Sequence, residues 1–437
     1  MSTDTAIEQV LFHELGLSHQ THFYVAYSGG LDSTVLLYLM HRLQQQHDFA
    51  LTALHVDHGL YQDSGQWAAH CAQVCQHMGI PLQQTRLNLV GSSEAEARSA
   101  RYDWFRQRVV PKSVLLTAHH MQDRAETLLF NLMRGAGSAG LSSLRRCRPF
   151  YHATLVRPML EIAKSEIQQV ALDSQLDWVE DPSNEQTEYA RNRLRQQVVP
   201  VLTQFREDAI RNIARAGANL EQETRLMREV AIADLVDVRE LSKHPIDESY
   251  ALNFDDMTHL SRTRKANLVR FWLQSLNQHI PSKRLMDALL DGFDEPPTTT
   301  AIFQEEGCQF RFYRGYLYVM PAREQFPTFS PVEWADLDRT LSLFDSRLTL
   351  EPTPQLKALV DKQRRSRLRL VSREGVVNPK ALQGHSVNLK KWLQDSGVPP
   401  WRRHVTPLLT LGQRNSDIVL APIDHGSHNE WISLAAS

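Results

Sequence analysis

The chain reads as an α/β protein built around a parallel sheet, followed by a mostly helical domain and a small, basic α/β domain at the C-terminus. Three observations predict this. From Thr21 to about Asp181, short β-like runs alternate with helical ones. A glycine pair, Gly29-Gly30, joins the first such strand to the first such helix. Beyond Asn184 the pattern turns helical and rich in Arg, Gln and Glu, with no clear strand before about Glu240.

Each element has its own signal. His22 to Tyr27 alternates loosely as a strand does, and Leu36, Leu37, Met40 and Leu43 recur at helical spacing between Thr34 and Gln46. Leu51 to His55 predicts a second strand, which runs out into Val56-Asp57-His58-Gly59. Helices are expected over Ser64–Met78, Ala95–Val109 and Met121–Met133, and strands over Pro81–Leu87 and Ser113–Ala118. Repeated strand–helix units favour a parallel sheet covered on both faces. In such sheets ligands bind beyond the carboxyl ends of the strands. The Ser28 turn, the His55–Gly59 end and the His119–Asp123 end are therefore expected to converge.

Further on, residues 240 to 320 mix helices with a hairpin, Gln309–Phe312 and Tyr316–Met320, turning at Arg314-Gly315. Prolines and acids between 326 and 357 read as a linker. The expected divisions are 1–215 for the sheet domain, 216–325 for the middle domain and 358–437 for the basic C-terminal domain.

Composition narrows the function classes. A length of 437 residues suits two or three domains. Hydrophobic content of 42% and charged content of 22% are those of an ordinary globular protein. No run approaches the ~18 apolar residues of a membrane span. The first residues, with Asp4 and Glu8, lack the basic start of a signal peptide. The cysteines are Cys71, Cys75, Cys147 and Cys308, with no C-x-x-C, so a reducing, cytoplasmic setting is expected. A net charge of −2 argues against indiscriminate coating of nucleic acid, though local basic patches suffice for one specific RNA.

Ser28-Gly29-Gly30-Leu31-Asp32-Ser33 is the most informative stretch. A Gly-Gly turn between strand and helix leaves backbone N–H groups open and removes side chains that would block an anion. The helix dipole favours negative charge at that mouth. A Walker loop would require a lysine here, and an acid, Asp32, stands instead. The plainer alternative is a glycine turn with Ser33 as helix cap.

The segment resembles the SGGxDS loop of the PP-loop, or N-type ATP pyrophosphatase, superfamily. That resemblance implies an adenine nucleotide alpha hydrolase-like domain in which Ser28, Gly29, Gly30, Leu31, Asp32 and Ser33 grip the pyrophosphate that ATP gives up.

A second segment, His119-His120-Met121-Gln122-Asp123-Arg124-Ala125-Glu126-Thr127, follows a strand and opens a helix. Asp123 and Glu126 share a helix face. Zn²⁺ is conceivable there, but oxygen ligands suit Mg²⁺ better, and ATP phosphates need a screening cation. The plain reading is acids opposing the helix dipole. Thr117 to Thr127 resembles the TAHHxDDQAET motif of the tRNA(Ile)-lysidine synthase family, with Gln122 in place of the first Asp and Arg124 in place of Gln.

Other segments fit the same family. They are Glu94-Ala95-Glu96-Ala97-Arg98 with Arg101-Tyr102, Arg134-Gly135-Ala136-Gly137, Glu180-Asp181-Pro182-Ser183-Asn184 with Arg191 and Arg195, and Gly384-His385 through Arg403.

The resemblance implies a ligase that joins free L-lysine to C2 of cytidine 34 of the isoleucine tRNA with a CAU anticodon. ATP would be split to AMP and diphosphate through an adenylated cytidine. It implies ATP and Mg²⁺ as requirements, Asp32 and Asp123 as catalytic groups, and Asp32, Asp123 and Glu126 as metal ligands. Arg98, Arg101, Arg134, Arg191, Arg195, Arg365 and Arg367 are the expected tRNA or ATP contacts, since a planar guanidinium suits phosphate. The bland reading of each arginine is a solvated face. Trp392 and Trp401 read as core rather than base-stacking residues. Two other readings are a tRNA thiolase sharing the loop, which usually needs paired cysteines, and an ATP-binding sensor that cleaves nothing.

Overall fold

The computed structural model describes residues 2–57, 64–87, 94–180, 190–323, 326–362, 367–412, 416–423 and 432–434. The chain divides into two compact units, Met1–Leu226 and Met227–Ser437.

In the first unit α1 (Thr3–Glu8) precedes β1 (His22–Ala26), α2 (Leu31–Gln46), β2 (Ala50–Asp57), α3 (Ser64–Met78), β3 (Leu82–Arg86), α4 (Glu94–Arg108), β4 (Val114–Leu116) and α5 (Met121–Met133). A short helix α6 (Ser138–Leu141) leads to the hairpin β5 (Cys147–Phe150) and β6 (Ala153–Val156), then α7 (Lys164–Asp173). Helices α8 (Ala190–Arg193), α9 (Val199–Phe205) and α10 (Ala209–Leu235) follow, as the helical pattern beyond Asn184 predicts.

The strand order is β3-β2-β1-β4-β6-β5. All pairs are parallel except the β5–β6 edge hairpin, which the sequence pattern does not announce. β2 is buried along Leu51 to Asp57 because it has two apolar faces. Phe23, Val25, Leu51 and Ala53 pack against Leu36, Met40 and Cys71 on one side. Tyr24, Leu54 and Val56 pack against Trp104 and Phe105 on the other.

The second unit has antiparallel sheets. β7 (Glu240–Leu241), β8 (Tyr250–Asn253), β9 (Phe303–Glu305), β10 (Cys308–Tyr313) and β11 (Tyr316–Pro321) form one in the order β7-β8-β11-β10-β9. Helices α11 (Arg262–Ser275) and α12 (Lys283–Asp294) share a core with it through Trp272, Leu289, Phe310 and Phe312. The expected hairpin is β10–β11. Arg314 (φ 48°) and Gly315 (φ 76°) both take the left-handed conformation that a tight hairpin demands.

Beyond it come β12 (Val332–Glu333), β13 (Leu341–Leu343), β14 (Leu348–Pro352), α13 (Pro354–Lys362), β15 (Arg367–Val371), α14 (Leu389–Asp395), β16 (Leu408–Gly412), β17 (Asp417–Pro422) and β18 (Ile432–Leu434). They form the sheets β12-β15-β16-β17 and β13-β14-β18. The stretch 326–357 is therefore not a linker. Its prolines and acids lie among short strands, and Trp334, Leu343, Leu348 and Leu350 are buried in one core with Leu368 and Leu409. Among the described residues no helix is long and apolar enough to cross a membrane.

Candidate active site

Three strand ends bring the site together. β1 leads to the Ser28 loop, β4 to Thr117–His120, and β6 to the segment ahead of α7. β1 and β4 are neighbours where the strand order reverses, the crevice in which open α/β sheets bind ligands.

The loop is held from inside. α2 starts at Leu31, so Asp32 and Ser33 stand in its first turn, and Gly30 rather than Ser33 is the cap. Gly30 carries no side chain to accept from the first-turn amides of α2, which suits an anion-binding helix start. The Ser28 amide donates to Ser33 Oγ (3.2 Å), and Ser33 Oγ donates to the Gly30 carbonyl (3.0 Å). Thr34 Oγ1 donates to the same carbonyl (3.0 Å), and the Val179 amide donates to the Gly29 carbonyl (2.9 Å).

Gly29 has φ +84°, and a Cβ there would sit 2.8 Å from Cys71 Sγ. A Cβ on Gly30 would meet nothing nearer than 3.6 Å. Gly29→Ala is therefore expected to destabilise the protein by about 1–3 kcal/mol, and Gly30→Ala by less than half as much, read as midpoints of urea unfolding.

Around this loop lie carboxylates and cations. His120 is 3% exposed. Its Nε2 stands 3.7 Å from Asp32 Oδ2 and 3.6 Å from Asp123 Oδ2. The His120 amide also donates to Asp123 Oδ2 (2.9 Å), fixing that carboxylate at the start of α5. Glu126 is fully buried, and Arg195 Nε and Nη2 donate to its two oxygens (2.7 and 2.8 Å). Arg195 Nη2 also reaches Asp123 Oδ1 at 3.4 Å. These contacts, Glu126 above all, raise the Arg195 guanidinium above its ordinary range. Lys164 Nζ, at the first position of α7, is paired with Asp32 Oδ1.

Both departures from the family motif find partners. Gln122 Nε2 donates to Glu126 Oε1 (2.9 Å), where a carboxylate would meet like charge. Arg124, buried, donates from Nη2 to Glu221 Oε2 on α10 (2.7 Å).

The structure thus gathers Asp32, Asp123, Glu126 and Arg195. Arg195 is committed to Glu126 instead of standing open to phosphate. Glu126 does not fit a metal, because it is buried with both oxygens engaged. Among the described residues no group of three or more His, Cys, Asp or Glu is arranged to hold a metal ion by itself.

The remaining arginines are elsewhere. Arg98 and Arg101 lie over the Tyr102 ring (5.3 and 5.8 Å), joined there by Arg148 at 5.8 Å. Arg134 is exposed at the end of α5, over Phe130. In the second unit Arg367 is exposed on β15 with Nη1 3.3 Å from Glu333 Oε2. Arg369, on the same face, is paired with the buried Asp417. The Arg191 side chain, Arg365 and His58 lie outside the described residues. Trp401 is buried and Trp392 packs beside a core cluster, as expected.

His120 and Lys164 are the site groups that motif spacing did not single out. The His120 signal was present, since it precedes a helix start whose third residue is Asp123. Nothing local marks Lys164.

Cys71 and Cys75 are buried, and burial pushes both thiols up to about 12. Protonated, buried thiols make poor sulfur carriers.

Family comparison agrees with this geometry. Residues 2–202 match a model of the PP-loop domain, 252–318 a TilS substrate binding domain, and 366–426 a TilS substrate C-terminal domain. The tRNA(Ile)-lysidine synthase of Pseudomonas fluorescens (strain Pf0-1) is 34% identical over 94% of this chain and 92% of its own length. That of Pseudomonas aeruginosa is 36% identical over 88% of this chain and 86% of its own. The chain belongs to the tRNA(Ile)-lysidine synthase family.

Among solved structures, the U34-tRNA thiolase NcsA from Methanococcus maripaludis with its [4Fe-4S] cluster aligns over 50% of this chain and 78% of its own, with a TM-score of 0.43 and 16% identity. The PP-loop domain points to ATP use, and the substrate domains together with the relatives' names point to a tRNA substrate. Both substrate domains occur here in the second unit.

Proposed function

We propose that this chain joins free L-lysine to C2 of cytidine 34 of the isoleucine tRNA with a CAU anticodon, splitting ATP to AMP and diphosphate. It is a ligase forming a C–N bond. The observation that carries the chemistry is that Asp32 on the loop and Asp123 on α5 both stand within 3.7 Å of one imidazole nitrogen.

In the first half-reaction the C2 carbonyl oxygen attacks the α-phosphorus, and the bond to diphosphate breaks. Amides at the start of α2 receive the charge that develops on the leaving group. Adenylation turns a poor leaving oxygen into a good one. In the second half-reaction the lysine ε-amine attacks C2, the C2–O bond breaks and AMP departs. That amine, with a reference pKa near ~10.4, must give up a proton, and Asp32 and Asp123 are the carboxylates placed to take it.

Asp32 and Asp123 also fit Mg²⁺, which takes one or two carboxylates and keeps its other positions for water and phosphate oxygens. Bound there it would offset charge on the diphosphate. Arg98, Arg101, Arg134 and Arg367 are the side chains that meet tRNA phosphates in this reading, and the reaction runs in the cytoplasm.

The test is purified protein with labelled ATP. Release of AMP and diphosphate should require both the tRNA and lysine, with lysidine found at position 34 by mass spectrometry. ADP with inorganic phosphate would overturn the scheme, iron or sulfide in the protein would revive the thiolase reading, and binding without turnover would leave a sensor.

A further inference from the structure

Lys164 has no part in the chemistry so far. It stands at the first position of α7, where the positive end of the helix dipole disfavours a cation. The helix does not need it: Glu166 Oε2 accepts the Ala163 amide (2.8 Å) and supplies the anion for that end. Nor does its ion pair with Asp32 hold the fold together, because the two side chains are 32% and 31% exposed and such pairs contribute little. What the pair does is place an ammonium at the mouth of the glycine loop. It neutralises there the one acid that the loop sets against incoming phosphate. The other cation of the cluster, Arg195, is held by both oxygens of Glu126.

We propose that Lys164 is a phosphate-binding residue of the ATP site, exchanging Asp32 for phosphate oxygens when the nucleotide enters. It fills the role that a lysine within the loop plays in Walker-type sites, delivered here from a segment 132 residues further along the chain. A flexible four-carbon stem carrying a compact charge lets the ammonium move between the two partners. Asp32 is freed in the same movement for the cation and proton handling assigned to it. The inference rests on the ATP reading of the same site.

The experiment is titration calorimetry of ATP with Mg²⁺, of pyrophosphate and of adenosine into the full-length protein and its variants, with thermal unfolding as control. Lys164→Ala is expected to weaken ATP and pyrophosphate at least tenfold and to leave adenosine within twofold. Lys164→Arg should recover most of the loss. Asp32→Asn, measured in EDTA, should tighten pyrophosphate severalfold in the wild-type background and markedly less in the Lys164→Ala background.

Unchanged ATP affinity in a normally folded Lys164→Ala protein overturns the inference, and Lys164→Gln decides the matter if the alanine variant unfolds. Absence of ATP binding by the wild-type protein would instead sink the ATP reading itself.

Discussion

Asp123→Asn is expected to lower the rate of lysine incorporation into tRNA by ~10²–10³-fold, the range seen when one polar group that stabilises transition-state charge is lost. The substitution keeps the shape and one oxygen to accept the His120 amide, but removes the charge that His120 and Arg195 face. The melting temperature should therefore move by only a few degrees. The measurement is single-turnover transfer of labelled lysine, with ATP–pyrophosphate exchange alongside to separate the half-reactions. Near-wild-type turnover would refute the assignment of Asp123. Loss of lysine transfer with exchange intact would give the residue to the second step alone. Gly30→Ala makes a useful companion, since it should fold normally and still weaken ATP if phosphate approaches that backbone closely.

The second large effect is on stability and lies in the second unit. Asp247 is fully buried, ahead of β8, with Arg402 Nε 3.1 Å from its Oδ2 and Arg402 itself 4% exposed. Trp401 Nε1 donates to the same oxygen (3.1 Å), and the Ser249 amide and hydroxyl donate to Oδ1 (3.1 and 2.7 Å). Asp247→Ala leaves a buried guanidinium without its counter-charge and is expected to cost about 3–5 kcal/mol, measured by urea unfolding.

Burial alone would raise the Asp247 carboxyl, but Arg402, then His244 and Ser249, outweigh it and hold the group far below the usual carboxylate range. Unfolded, it titrates near ~3.9. Its contribution is thus fully present above that value and is lost as the pH falls from there towards the folded one. Wild-type stability should fall steeply below about pH 4, and the variant's acid limb should be shallower. An equally steep limb in the variant would assign the acid sensitivity to other carboxylates.

Much of the fold was legible where its signals are local. The strand–Gly-Gly–helix turn, the alternation of short apolar runs with helical spacing, and the hairpin turn at Arg314-Gly315 each depend on residues within a few positions of one another. The reading failed where short strands lay among polar and proline-rich residues. Between 326 and 357 the apolar pairs Leu341/Leu343 and Leu348/Leu350 build sheet, although composition resembles a connector. The β5–β6 edge hairpin went unseen for the same reason: its strands are four residues each.

Site residues divide in the same way. Asp32, Asp123 and Glu126 could be named from motifs, yet their roles could not be separated. The sequence by itself determined a glycine loop opening a helix, acids at the start of another helix, and a chain of family segments in order. Only the tertiary structure decided that Glu126 holds Arg195 from 69 residues away, that Arg124 is met by Glu221 from 97 residues away, and that a lysine stands against Asp32. The physical reason is that capping, turn and periodicity preferences are written within a turn or two of the chain. Which charges face one another is set by how the carboxyl ends of β1, β4 and β6 are brought side by side.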